Sequence, residues 1–321
     1  MRILITGVTG YVGGALVPRL QAAGHDLRGL ARNPERAALR KGSDPFLSAG
    51  GLRKGSDPLA VVRGDVTTGE GLEAALEGVE VAYYLVHSME TASGGGFATR
   101  EEEGARRFAR AAARAGVRRI VYLGGILPSK RPISPHMASR LKVEEILLEA
   151  VPDSVAFRAS IVVGARSRPF RFLVNLVART PFIPLPPWGR FRTQPIDERD
   201  VLAYLTAAAT APAGGSHDIA GPDVVTYAEM IEGIRDAMMI GRPRIGLPVS
   251  LTPVASRVAA AIAGEDPGLV GPLMGSLGSD ILPRDMRAPG LFGVRPRRFD
   301  RAVERALREW EALEPGSVAA R

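Results

Sequence analysis

The 321-residue chain is predicted to fold as an α/β protein, a doubly wound parallel sheet joined to a smaller, discontinuous C-terminal lid domain. Three observations carry this. From Met1 to about Val163, short β-branched runs alternate with longer helical patterns, a rhythm that implies a parallel sheet covered on both faces. A glycine-rich turn follows the first apolar run at once. Past Gly164 the alternation gives way to a proline-rich stretch, so the sheet domain is interrupted there.

Taken in order, Ile3-Leu4-Ile5 reads as a buried strand, and a helix is expected from about Tyr11 to Ala23, stopped by Gly24. Leu27 to Ala31 reads as the second strand, and Val61-Val62 leads a third into Gly64-Asp65. Leu72 to Leu76 is a short helix and Val81 to Val86 the fourth strand. The stretch Arg100 to Ala115 sets Phe108 and alanines on one helical face and arginines on the other. Ile120-Val121-Tyr122-Leu123 is the fifth strand, Ser139 to Ala150 a helix, and Val155 to Val163 the sixth strand. Right-handed crossovers wind such strands into a doubly wound sheet. Prolines crowd Pro181 to Pro187, which predicts loops around short helices. Order returns with Arg192-Thr193-Gln194-Pro195-Ile196, a helix from Asp200 to Ala209, a strand near His217 to Ala220 and a helix from Tyr227 to Met238. A last helix is expected from Arg301 to Leu313.

Composition excludes several chemistries. With no cysteine, neither disulfides nor thiolate metal sites can form, and four scattered histidines offer no ligand cluster at zinc-like spacing, so no metal is expected. The net charge of +8 comes from 42 basic residues, of which only Lys41, Lys54, Lys130 and Lys142 are lysine, leaving 38 arginines. They are spread along the chain without a basic run interleaved with aromatics, so nucleic acid is not an expected partner. The N-terminal apolar run is broken by Gly7, unlike an export signal, and the run Val258 to Gly264 is far short of the ~20 residues that span a bilayer. No membrane partner and a cytoplasmic location are therefore expected. A tandem copy, Leu39-Arg40-Lys41-Gly42-Ser43-Asp44-Pro45 and Leu52-Arg53-Lys54-Gly55-Ser56-Asp57-Pro58, sits between the second and third strands. It reads as a duplicated surface loop, with a binding insert as the alternative.

The strongest local signal is Gly7-Val8-Thr9-Gly10-Tyr11-Val12-Gly13, set between a strand and a helix. In that context the glycines serve a dinucleotide: Gly7 for the tight turn, Gly10 for close approach of a pyrophosphate, Gly13 for helix–strand packing. The helix N-terminus adds unpaired N–H groups. The sheet is then of Rossmann type. Its domain covers residues 1–163 with a returning segment at about 192–220, and the substrate lid covers 164–191 and 221–321. The second strand ends in Leu30-Ala31-Arg32-Asn33-Pro34 without the acid that would bind NAD ribose hydroxyls, Asp26 lying at its other end. Arg32 suits a 2′-phosphate instead, which favours NADP over NAD, unless Arg32 is one more surface arginine. Asp65 and Val66 are placed for adenine, and the backbone of Leu85 and Val86 beside the cofactor.

These segments resemble the atypical short-chain dehydrogenase/reductase family, in its NAD(P)H-binding, NmrA-like branch. The resemblance rests on Thr6 to Gly13, Ala31 to Pro34, Arg63 to Val66, Tyr84 to Met89, Tyr122 to Gly125, and Ser134-Pro135-His136 with Ser139-Arg140. It continues through Gln194-Pro195-Ile196, Asp200-Val201-Leu202 and Ala220 to Asp223, to about Met238.

The wider superfamily uses a Tyr-x-x-x-Lys pair and an upstream serine, and the resemblance implies a search for them. None of the six tyrosines has a lysine four residues on; at the matching place the chain reads His136-Met137-Ala138-Ser139-Arg140, and Gly124-Gly125 stands where the serine is expected. Two readings follow. In one, hydride passes between NADP(H) and a small organic substrate such as a quinone, enone or ketone. His136 or the substrate itself then gives the proton near neutral pH, and Arg140 holds the ribose. In the other, the chain binds NADP(H) without turnover, as a sensor or regulator. A sugar-nucleotide epimerase would need the missing Tyr/Lys pair. His87-Ser88 should lie near the nicotinamide, touching substrate or capping a loop. Phe172, Trp188 and Phe191 would line an apolar pocket, or else build the lid core.

Overall fold

In the computed structural model, residues 1–35, 59–86, 97–128, 133–185, 187–246 and 278–315 are described. The tandem copy lies outside them. The first half comprises β1 (Arg2–Thr6), α1 (Tyr11–Ala22), β2 (Asp26–Ala31), β3 (Ala60–Arg63), α2 (Leu72–Leu76), β4 (Val81–Tyr84), α3 (Phe97–Arg114), β5 (Arg119–Gly125), α4 (Pro135–Ala150), β6 (Val155–Ala159) and β7 (Val162–Val163). The second half continues with α5 (Arg168–Arg179), β8 (Ile183–Leu185), a 3₁₀ turn at Pro187–Arg190, β9 (Arg192–Thr193), β10 (Ile196–Asp197), α6 (Glu198–Ala208), β11 (Gly215–Ile219), β12 (Val225–Thr226), α7 (Tyr227–Ala237), β13 (Arg244–Gly246), α8 (Ala288–Phe292) and α9 (Phe299–Leu313). No helix among the described residues is long and apolar enough to cross a membrane.

Seven strands form one sheet in the order β3-β2-β1-β4-β5-β6-β11, every pair parallel. All their C-terminal ends therefore open on one edge, and the winding reverses between β1 and β4, where such sheets form their ligand crevice. One face carries α1, α6 and α8 over Ile3, Tyr83, Val121 and Phe157. The other carries α2, α3 and α4 over Leu4, Tyr84, Tyr122 and Ala156, with Phe108 tilted against Tyr84 at 5.0 Å. Neighbouring residues such as Tyr83 and Tyr84 feed opposite faces, the period-2 alternation of a strand. A second core joins α5, α7 and α9.

Five details differ from the sequence expectation. β4 stops at Tyr84 instead of Val86, because the Thr6 hydroxyl takes over the ladder there: it donates to the Tyr83 carbonyl and accepts from the Leu85 amide, both at 3.0 Å. The sixth strand breaks at Ser160, whose amide donates to the Ile219 carbonyl at 3.2 Å; Val162–Val163 then pairs with β10. α4 starts four residues early, with the Ser134 hydroxyl accepting from the Met137 amide at 3.3 Å and Pro135 in the first turn. Arg168–Arg179 is a full helix where short ones were expected, opened by Ser167 with Pro169 in its first turn. Ala288, Phe292 and Val294 also pack into the sheet's first core cluster, although the sequence expectation grouped 221–321 with the lid.

Candidate functional site

The crevice is built from the ends of β1 and β4. Gly7 has φ +67°, and a Cβ there would stand 2.6 Å from the Leu85 carbonyl oxygen, so only glycine lets the turn nestle against the end of β4. A Cβ on Gly13 would collide with the Gly7 carbonyl, so α1 can start this close to β1 only with glycine at that place. Gly10 is the N-cap of α1 with no side-chain cap, and the first turn carries no acid. The helix thus presents uncapped amides from Tyr11, Val12 and Gly13 and an unneutralised positive end toward the crevice. That arrangement fits a pyrophosphate.

The Tyr11 ring turns away from the turn. Its phenol lies beside the buried Glu198 carboxyl, and both press against Gly164, where a Cβ would strike them. Burial, reinforced by the Glu198 charge, pushes the phenol well above its ordinary range, and burial likewise raises Glu198. The pair anchors the first residue of α1 to the first residue of α6.

Over β2 and β3, Arg32 follows the last residue of β2 and is exposed, with no carboxylate partner among the described residues. Asp26 sits at the opposite end of β2 and pairs with Arg2 at 2.8 Å. Asp65 uses one carboxylate oxygen to accept from the Thr67 amide at 2.7 Å, which leaves its other oxygen for an outside donor. Val66 is buried beside it.

Over β4 to β6 the wall is α4. Its first turn covers the end of β5, where Met137 lies 3.4 Å from the position of a Cβ on Gly125. Two contacts fix its register: Ser139 donates to Glu101 at 2.7 Å, and Arg158 of β6 grips Glu144 through two hydrogen bonds of 2.6 and 3.0 Å. Arg140 donates from Nε to His136 Nε2 at 3.0 Å, one helical turn apart. Burial first, and the Arg140 charge second, pull the His136 pKa down to about 4. The imidazole is therefore neutral near pH 7 and occupied as an acceptor. This corrects the expectation of His136 as general acid near neutrality: the guanidinium takes the nitrogen a proton would need.

One titration follows. His136 is neutral in the folded chain, whereas an unfolded ring gains a proton below its ordinary 6.5. The stability it contributes is complete above 6.5 and is lost as pH falls through about 4. His136→Gln, which keeps an acceptor for Arg140 and cannot titrate, is expected to flatten that part of the decline when thermal unfolding is followed from pH 7 to 4.

Of the other expected site residues, Leu85 is buried and Val86 half-buried beyond the end of β4, next to Gly7. Thr9 lies half-buried within the turn. His87 lies outside the described residues. Phe172 and Trp188 are buried in the lid core with Phe170 and Tyr227, and Phe191 packs against them. The strongly apolar face of α5 buries them. Sequence reasoning gave no role to Thr6, Glu198 or Glu144. Only Thr6 had a local signal, a polar residue ending an otherwise apolar strand.

Residues 7–150 match the family model described as NAD(P)H-binding. The chain is 28% identical over 272 residues to (4-alkanoyl-5-oxo-2,5-dihydrofuran-3-yl)methyl phosphate reductase of Streptomyces griseus, covering 81% of this chain and 83% of that protein. It is 28% identical over 245 residues to ceramide reductase of Caulobacter vibrioides, covering 76% and 72%. Among solved structures, the triphenylmethane reductase of a Citrobacter species complexed with NADP(H) superposes with a TM-score of 0.71 at 18% identity, over 95% of this chain and 100% of that one. At that identity the likeness is one of fold.

Proposed function

We propose that the chain, whose residues 7–150 match the NAD(P)H-binding family model, is an NADP(H)-dependent oxidoreductase of the atypical short-chain dehydrogenase/reductase family, in its NmrA-like branch. It reduces a small organic acceptor, a quinone, enone or ketone, without the Tyr/Lys pair. The observation that carries the reading is the uncapped N-terminus of α1 behind Gly7, with the exposed Arg32 beyond the end of the neighbouring strand. The cofactor, when bound, supplies or accepts the hydride.

Each residue then has a task. The amides at the start of α1 hold the pyrophosphate. Arg32 pairs with the 2′-phosphate, Asp65 accepts from the adenine amino group, and Val66 packs beside it. Arg140 reaches the nicotinamide ribose hydroxyls, and neutral His136 keeps the guanidinium aimed by accepting from its Nε. Acceptors that need little acid help suit this site, because neither His136 nor Gly124-Gly125 offers a proton near pH 7.

The test is a fluorescence titration with NADPH and NADH, followed by absorbance at the nicotinamide band with a panel of quinones, enones and ketones. Arg32→Ala is expected to weaken NADPH roughly 10- to 100-fold and leave NADH unchanged, the range for one charge-assisted contact. Equal affinity of the parent for both cofactors would remove the phosphate assignment. The locked His136–Arg140 pair also favours a second reading, an NADP(H)-binding sensor. Tight NADPH binding with no oxidation by any acceptor would establish it.

A further inference from the structure

The superfamily's serine is missing from the end of β5, where the chain has Gly124-Gly125, but one strand over a hydroxyl stands at the same edge. Gly125 pairs with Ala159 across the β5–β6 ladder, and Ser160 is the next residue. Adjacent strands lie about 4.8 Å apart, so this hydroxyl is displaced from the expected place by about that distance. It lies in the half of the crevice over β4 to β6, the second mononucleotide half of such a sheet. Its neighbours at the edge, Gly125, Leu127, Ile161 and Val162, are all half-buried, so the edge is not sealed.

Ser160 does not stand alone. Its hydroxyl and that of Thr193 are 3.1 Å apart. Near Thr193 lies the Tyr227 phenol, whose oxygen is buried and has no partner at hydrogen-bond distance among the described residues. Relative exposure is 7% for Ser160, 0% for Thr193 and 1% for Tyr227, so water has little access to the row. Burial holds the phenol above its ordinary pKa, so it keeps its proton. Each hydroxyl carries one proton and can accept others. Either hydroxyl of the Ser160–Thr193 pair can donate; when Thr193 donates to Ser160, the Ser160 proton is left for something outside. Aligned hydroxyls strengthen one another.

We propose that Ser160 is the hydrogen-bond donor to the substrate oxygen, oriented by Thr193, and that the substrate is accordingly one with a carbonyl or quinone oxygen at its reacting end. The proposal rests on the reductase reading above. Ser160 binds and polarises that oxygen; Thr193 is a positioning residue that acts through it. A carbon–carbon double bond without a conjugated oxygen gives Ser160 nothing to hold and is a poor substrate.

The experiment compares the parent, Ser160→Ala, Ser160→Thr and Thr193→Val with NADPH and a quinone or ketone that the parent turns over. Ser160→Ala is expected to lower kcat/KM on the order of 10²-fold, as loss of one preorganised donor does, with the NADPH Kd unchanged. Ser160→Thr restores most of the rate. Thr193→Val is expected to lower it roughly tenfold, about 1.4 kcal/mol, again without change in the NADPH Kd. Unaltered NADPH binding also certifies that each variant is folded. The proposal is overturned if Ser160→Ala turns over at the parent rate, or if its loss is matched by an equal loss of NADPH affinity. A parent that binds NADPH but fails to oxidise it with any of the acceptors overturns the reductase reading itself, an outcome visible before any variant is made.

Discussion

Gly7→Ala is expected to abolish measurable NADPH binding and to cost the fold about 1–3 kcal/mol. Two effects combine. The left-handed backbone at φ +67° strains any residue with a Cβ by roughly 1–2 kcal/mol. The added carbon also stands 2.6 Å from the Leu85 carbonyl oxygen, which is backbone and cannot swing aside. To relieve the clash, the turn must lift from the end of β4, and the amides of α1 move with it. Gly24→Ala supplies the control: φ is +82° but the space around its Cβ is open, so the strain is similar and cofactor affinity should not change. Fluorescence titration with NADPH beside thermal unfolding separates the two. Gly7→Ala binding within threefold of the parent would refute the assignment of the turn.

Glu144→Ala should be the most destabilising change on α4, by about 3–5 kcal/mol in urea unfolding. Glu144 is 3% exposed and holds Arg158 through two hydrogen bonds, and it accepts from Ser216 as well. Its loss strands a guanidinium that is mostly buried, with Asp218 at 3.9 Å the one remaining counter-charge among the described residues. The pair need not add net stability, since such pairs are often replaceable by apolar residues. The double change Glu144→Leu with Arg158→Met is accordingly expected to recover most of the loss. Recovery of stability without recovery of turnover would show that the pair sets the register of α4. Equal loss from Glu144→Ala and from a surface control such as Glu149→Ala would sink the argument.

The sequence carried the site where the signal was local. Gly7 and Gly13 are legible because their need is met within a few residues and one neighbouring strand. The lack of an acid after Ala31 reads off the same way. The start of α4 was also on the page: Ser134 followed by Pro135 is a capping pattern. Placing the helix start there would have put His136 and Arg140 one turn apart on one helix, and hence in contact. The depressed pKa of His136 was not legible, because it depends on burial as well as on that contact. Nor could spacing show that Glu144 meets Arg158, 14 residues on, or that Ser160 meets Thr193, 33 residues on. The lid aromatics were left between pocket wall and lid core for a related reason. A proline-rich surround hid the helix Arg168–Arg179, and without its period Phe172 had no face to be assigned to.

The late return of α8 bears on how the protein is made. Phe292 sets its ring edge against Phe157 at 4.9 Å and against Tyr204 at 6.1 Å, closing the face of the sheet at β6 and α6. A ribosome delivers the strands from β1 to β6 long before it delivers Phe292, and domains usually condense as they emerge. Here the sheet can pair its strands early, yet part of its apolar face stays bare until Phe292 has emerged. Nascent chains truncated ahead of Ala288 should therefore depend on holdase chaperones, and emergence of Ala288, Phe292 and Val294 should be the step at which that dependence ends.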